Sequence, residues 1–276
     1  MPPERAPLPE PESHQHRQLA ESFGSDPERY DRARPRYPEA LVERIVAASP
    51  GHDVVDVGCG TGIAARQFQT AGCRVLGVEV DARMADYARR SGVEVEVAAF
   101  EAWDRAGRAF DAVIAGQTWH WVDPVAGPAR AAQALRPGGR LAVFWNVFQP
   151  PPDVGEAFSA VYRRVMPDLP FNPWAPGSDG YSVLRTKATD GIRQASAFGD
   201  PEQWRIDWER SYTRDEWLDQ VPTHGGHSQL PLAQLEELMA GIGATIDAVG
   251  GSFTMGYAAM VVTAARTGAT MTGADW

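Results

Sequence analysis

Residues 54–62, VVDVGCGTG, concentrate the groups best suited to hold a ligand. An acid sits at Asp56, and glycines recur at Gly58, Gly60 and Gly62 around Cys59 and Thr61. At a strand-to-helix turn, glycine lets the backbone bend sharply and lets a ligand approach closer than a Cβ permits, while the amides of the following helix face polar ligand atoms. The spacing is not that of a dinucleotide fingerprint, which needs glycine or alanine where Ile63 stands, and there is no G-x-x-x-x-G-K-[ST] phosphate loop. Glu79, followed by Val80, ends the next apolar run, where a carboxylate accepts hydrogen bonds from both hydroxyls of a ribose. Ala99, Phe100 and Glu101 follow a third run, within reach of a purine edge. After a fourth run, GQTWHW brings Gln117, Thr118, Trp119, His120 and Trp121 to the same side. His120 is the candidate general base, because an unperturbed imidazole titrates near neutrality. Tyr30, Tyr37, Trp119 and Trp121 are candidate aromatic walls for a cation.

These residues need a scaffold that delivers them to one edge. From position 53 onward, short apolar runs alternate with helical stretches, the texture of a parallel sheet covered by helices. The pattern predicts strands over 54–57, 75–80, 93–98, 110–115 and 139–145, with helices over 62–71, 81–91 and 124–135 between them. Proline at the start and helical spacing of Leu41, Val42, Ile45 and Val46 predict an earlier helix over 38–49. Later come a strand over 204–212, a helix over 232–242 and a last strand over 251–264. The expected organisation is a disordered tail at 1–22, an N-terminal cap at 23–50, a binding core at 51–147, a proline-rich lid at 148–203, completing elements at 204–266 and a tail at 267–276.

Composition narrows the chemistry. The chain has 276 residues, 43% of them apolar, with a net charge of −10. That balance repels a phosphate backbone, so a nucleic-acid partner is not expected. The Asn-Pro-Pro-aromatic motif of enzymes that methylate nucleic-acid amino groups is also missing after the fourth run. Cys59 and Cys73 are too few for a disulfide framework and read as reduced thiols. Without a signal-like segment or an apolar run of about 18 residues, a cytoplasmic protein with no membrane association is expected. His224 and His227 in THGGHS lack cysteine partners, so no metal is expected, and they read as lining for an acceptor. Arg29, Arg32, Arg34 and Arg36 cluster beside Asp26, Glu28, Asp31 and Glu39, a solvated paired face from which Arg34 is singled out as free to hold a carboxylate.

The ordered set VDVGCGTG, VEVD, AFEAW, FDAVIAGQTWHW and LRPGGRLAVF resembles the class I S-adenosylmethionine-dependent methyltransferases. More narrowly, YDRARPRYP, WHWVD and GGSFTMGYAAMVVTAAR resemble the trans-aconitate methyltransferase-like group, with departures at Ala98 and Phe100, where that group carries glycine and alanine. The resemblance implies an α/β, Rossmann-like doubly wound sheet of about seven strands, the last antiparallel, with a lid or cap insertion after the fifth. It implies S-adenosyl-L-methionine as cofactor, with Gly58, Gly60 and Gly62 under the methionine portion and Glu79 on the ribose. Met84 and Phe100 would pack on adenine and Glu101 would neighbour its amino edge. The Gln117 carbonyl would meet the methionine amino group, and Arg34, followed by proline, its carboxylate. Tyr37, Trp121, His224 and His227 are left for the substrate. The implied reaction moves a methyl group in line to an O, N or C atom of a small-molecule acceptor, an acidic one being open. The alternative is a cofactor-binding regulatory module without transfer activity. Monomer and homodimer both remain open.

Overall fold

The computed structural model describes residues 23–167, 174 and 180–268. The tail expected at 1–22, most of that at 267–276 and part of the lid expected at 148–203 lie outside the described residues.

Two helices lead in, α1 (Pro27–Ala33) and α2 (Glu39–Ala47). The Asp26 side chain caps α1 by accepting from the Arg29 amide at 3.0 Å, and Pro27 occupies the first turn, where no amide bond is lost. Pro35 then disfavours helical geometry at Arg34, and the chain leaves α1 extended. There follow β1 (Asp53–Val57), α3 (Ile63–Thr70), β2 (Arg74–Glu79), α4 (Ala82–Arg90), β3 (Glu94–Val97), β4 (Phe110–Gly116), α5 (Ala126–Ala134) and β5 (Leu135–Gln149). The second half contributes α6 (Pro152–Val165), α7 (Gly180–Gln194), β6 (Glu202–Thr213), α8 (Arg214–Gln220), α9 (Leu232–Ala248) and β7 (Ser252–Ala265).

The seven strands form one sheet in the order β3-β2-β1-β4-β5-β7-β6. The first five are parallel, and β7 runs antiparallel to both β5 and β6. This is the Rossmann-like arrangement with an antiparallel last strand that the family resemblance implied. Strands β1, β2 and β4 are buried almost along their whole length, which is why they read as unbroken apolar runs. At the edge, β6 alternates buried and exposed positions and keeps one face to solvent.

Apolar residues of α2 and α3, among them Leu41, Ile45 and Phe68, cover one face of the sheet. Ala131 and Ala134 of α5, with Ala188 and Ile192 of α7, cover the other. A third core, joined to the first through Trp208, is built on the far ends of β6 and β7 and on α6, α8 and α9, around the fully buried Phe158, Trp217 and Tyr257. Strand β5 begins four residues earlier than expected, because LRPGG continues the strand through Gly138 at φ +77° and absorbs a register shift opposite Phe110 and Ala112. Among the described residues no helix is long and apolar enough to cross a membrane.

Candidate functional site

A cavity of about 570 Å³ opens where β1, β2, β4 and β5 end. Every residue expected at the site lines it except Gly62 and Trp119. Gly62 is the N-cap of α3, at φ +86°, and a Cβ there would come within 2.9 Å of Val93, so helix packing demands this glycine and no ligand need be invoked. Trp119 turns inward, 4% exposed, behind Phe100 at a ring separation of 6.2 Å. The short turn Trp119–Trp121 instead sends His120 and Trp121 toward the cavity.

The first half of the cavity is the glycine turn and its carboxylates. Gly58 and Gly60 hold φ of +60° and +56°, where only glycine is comfortable. A Cβ on Gly58 would run into the Thr118 hydroxyl, whereas at Gly60 the nearest atom would be the Met84 methyl at 3.7 Å, so Gly60 bares its backbone to open space. Glu79 accepts hydrogen bonds from the Gly60 amide at 2.8 Å and the Asp81 amide at 2.9 Å. These amides fix the carboxylate and leave its remaining lone pairs free; burial nonetheless holds its pKa above the ordinary range. Asp56 is buried deeper. Burial pushes its pKa up to about 8, with nearby Glu79 adding and the Ala65 amide opposing, and one carboxylate oxygen has no hydrogen-bond partner. The Thr61 hydroxyl is buried without a partner too. Unsatisfied buried groups of this kind carry a desolvation penalty that a polar ligand relieves. Met84 and Phe100 form an apolar wall, Phe100 backed by Trp103 at 6.0 Å. Glu101 accepts from the Asp123 amide at 2.8 Å, which sets its carboxylate at the rim. Gln117 is held at φ +57°, unusual for a residue with a side chain, by its amide bond to the Phe144 carbonyl at 2.8 Å. Burial raises the Cys59 thiol well above its usual value, so it is no thiolate nucleophile.

The second half is roofed by the N-terminal segment. Gln67 of α3 grips the Tyr37 backbone at both ends, accepting from its amide at 3.0 Å and donating to its carbonyl at 2.7 Å. Arg29 and Arg32 pair with Asp219 of α8, and Arg36 pairs with Asp31. The pairing expected with Asp26 and Asp31 is found for Arg29 and Arg36, whereas Arg32 pairs with Asp219, a partner outside the expected set. Arg34 differs: it lines the cavity, donates from Nη2 to the Thr223 carbonyl at 2.6 Å, lies 5.0 Å over the Tyr30 ring and keeps its buried Nε unpartnered.

His120 lines the cavity, but its hydrogen bonding changes its use. Trp145 Nε1–H, which can only donate, reaches His120 Nδ1 at 3.4 Å, so in the neutral ring Nε2 carries the hydrogen. Burial lowers the pKa to about 4. The ring is therefore neutral at pH 7 and offers a donor where a base was expected.

Several lining residues escaped the sequence reading. Phe23 packs edge-on to Tyr30 and Trp121 at 6.0 and 6.4 Å. Tyr162 of α6 and Tyr181 and Leu184 of α7 close the far side with Trp174 and Phe148. A signal existed only for Tyr162 and its neighbours, as the apolar stripe of GEAFSAVYRRVM, and that stripe does not reveal which member faces a cavity.

Residues 55–143, about a third of the chain, match the family model of a methyltransferase domain. An uncharacterized methyltransferase of Mycobacterium tuberculosis (strain ATCC 25618 / H37Rv) is 34% identical over 132 residues, covering 47% of this chain and 54% of the relative. One from Schizosaccharomyces pombe is 24% identical over 135 residues, with the same two shares. The chain thus matches about half the length of these curated relatives. Among solved structures, a protein of Anaeromyxobacter dehalogenans, described provisionally as a type II methyltransferase, superposes with a TM-score of 0.62 at 22% identity, covering 83% of this chain and 97% of the other. A Bacillus halodurans C-125 protein with a similar provisional description gives 0.51 at 15% identity, covering 83% and 99%. At these identities the superpositions establish the fold. Residues 55–143 thus match a methyltransferase domain, and the seven-stranded sheet around them has the Rossmann-like fold of those solved structures.

Proposed function

We propose that this protein transfers the methyl group of S-adenosyl-L-methionine to a small-molecule acceptor. The observation that carries this reading is the pair of unpartnered buried oxygens, on Asp56 and Thr61, beside a glycine turn that bares its backbone and a carboxylate preset by two amides. An adenosyl cofactor, whose ammonium and two ribose hydroxyls donate and whose carboxylate accepts, matches that set of acceptors and bared backbone. Glu79 would take the ribose hydroxyls, Met84 and Phe100 the adenine faces, Glu101 its amino edge, Asp56 and the Gln117 carbonyl the ammonium, and Arg34 the carboxylate. Two solved phosphoethanolamine N-methyltransferase structures from Haemonchus contortus hold this cofactor or its demethylated product.

When bound, the cofactor supplies a methyl group already activated on a sulfonium, so the chain's task is to position and to exclude water. Trp121 and Tyr37 line the cavity, where aromatic faces attract a cation by about 0.5–2 kcal/mol, while the Tyr30 ring already carries the Arg34 guanidinium. Residues 148–203 serve as the lid in this reading, since α6 and α7 close the acceptor side with Tyr162, Tyr181 and Leu184. The net charge of −10 favours a small molecule over a nucleic acid. Calorimetric titration with S-adenosylmethionine and its demethylated product tests the reading. Binding should be present in the wild type and fall by at least about tenfold in Glu79→Ala, which removes charge-assisted hydrogen bonds. Equal binding in both proteins overturns it.

A further inference from the structure

The part of the cavity left for the acceptor has an unusual balance of groups. Its walls are Phe23, Trp121, Phe148, Trp174 and Leu184. Among the described lining residues the carboxylates are Asp56, Glu79 and Glu101, all on the cofactor side, and the one guanidinium is Arg34. One arm of Arg34 is already spent on the Thr223 carbonyl, and the stretch 168–179 contains no lysine or arginine. A buried carboxylate without a cationic partner is costly, so an acceptor bearing several acid groups is poorly served here.

At the back of the same space the hydrogen-bond directions can be assigned. His227 Nδ1 lies 3.2 Å from the Gly225 carbonyl, which can only accept, so Nδ1 carries the hydrogen. His227 Nε2 then presents its lone pair, and the Tyr162 hydroxyl, 2.9 Å away, donates to it. Tyr162 and His227 are 1% and 4% exposed, and both line the cavity. The Tyr162 oxygen, which also receives the Trp174 indole, keeps one further lone pair at the cavity it lines while its proton already points at a basic nitrogen. That polarity is the opposite of His120, whose Nδ1 lone pair is occupied by an indole donor that cannot yield to it.

We propose that the acceptor is an uncharged, flat, apolar molecule bearing a hydroxyl, and that the Tyr162–His227 pair receives the proton this hydroxyl loses on methylation. The inference rests on the methyltransferase reading above. As the acceptor oxygen forms its bond to the methyl carbon, the carbon–sulfur bond breaks with its electron pair going to sulfur. The acceptor oxygen becomes a strong acid. Its proton moves to the Tyr162 oxygen while the Tyr162 proton moves to His227 Nε2. The sulfonium charge is lost and an imidazolium charge appears, so charge is conserved, and a weak base suffices because the proton is released only as the bond forms. The groups facing His227 are Tyr162 from α6, His224 from its own turn and Arg34 from the N-terminal segment. Burial and Arg34 both keep the ring neutral beforehand, which is the state this role needs.

The test uses the full chain saturated with the demethylated cofactor and three probes of one shape: 2-naphthol, 2-methoxynaphthalene and 2-naphthoate. The proposal requires 2-naphthol to bind at least about tenfold more tightly than 2-naphthoate, since among the described lining residues no cation is left for the carboxylate. Tyr162→Phe should weaken 2-naphthol by about tenfold, the loss of one buried hydrogen bond, and leave 2-methoxynaphthalene unchanged. Nitrogen-detected NMR of the wild type should show His227 as the Nδ1–H tautomer and His120 as the Nε2–H tautomer, a readout independent of any variant. Preferred binding of 2-naphthoate, no loss of 2-naphthol in Tyr162→Phe, or a His227 Nε2–H tautomer overturns the proposal. Failure of the demethylated cofactor to bind at all is a different result, and it sinks the methyltransferase reading itself.

Discussion

Replacing Asp56 with asparagine should stabilise the empty protein, by an amount that grows with pH. Asp56 is 1% exposed, one of its oxygens has no partner, and its folded pKa is about 8 against an ordinary 3.8. An acid whose pKa is raised by folding favours the folded state fully below its unfolded value and loses that advantage as pH rises toward the folded value. Each pH unit in that window costs about 1.4 kcal/mol, so relative to a neutral side chain the wild type gives up about 4 kcal/mol by pH 7. The asparagine side chain would stand in for the protonated acid with nearly the same shape and no titration. The two proteins should melt together near pH 4 and separate progressively, the variant leading by roughly 8–16 °C at pH 7 for a chain of this size. Above pH 8 the gap should stop growing. Scanning calorimetry and urea titration from pH 4 to 9 on ligand-free protein provide the measurement. A difference that does not vary with pH, or a wild type more stable at pH 8, would refute the assignment of a buried, unrelieved carboxyl at this position.

Cofactor binding should draw on the same group. With Asp56 protonated below about pH 8, binding an ammonium beside it at pH 7 should release close to one proton. The apparent binding enthalpy should then depend on the ionisation enthalpy of the buffer, and its independence would count against contact with Asp56. Gly60→Ala should cost the empty fold only about 1–2 kcal/mol for a side chain at positive φ. Nothing lies within 3.7 Å of its Cβ. Cofactor affinity should drop out of proportion, and parallel melting and titration experiments separate the two effects. Arg34→Lys keeps the charge but not the planar fork, and cofactor affinity should weaken about tenfold as a charge-assisted hydrogen bond is lost. Equal affinity in calorimetry would remove Arg34 from the cofactor's carboxylate.

The part of this molecule that could be read from sequence is the part built from contiguous residues. Strand β1, the glycine turn and α3 form one uninterrupted stretch, so the bend, Asp56 and Thr61 fall where the spacing placed them. Glu79 was legible because a buried parallel strand announces its own end. Gly62 and Trp119 misled for a shared reason: a motif gives the order of residues along a turn, but which of them face inward depends on what packs beneath, here Val93 and Phe100. The base role expected of His120 depended on a tautomer, and Trp145, 25 positions away, decides it. Tyr162 and His227, separated by 65 positions, meet only once α6 and the turn at His227–Gln229 are folded together, and no local pattern carries that contact.

The aromatic core around Phe158, Trp217 and Tyr257 is a cluster of its own beside the two layers that sandwich the parallel strands, joined to one of them by Trp208 and to both by β5 and β7. A molecule organised this way need not melt as one unit. Tyr162 belongs to that aromatic core and Asp56 and Glu79 do not, so a substitution at Phe158 or Trp217 should be felt first on the Tyr162 side of the cavity and reach Asp56 and Glu79 only through the shared strands.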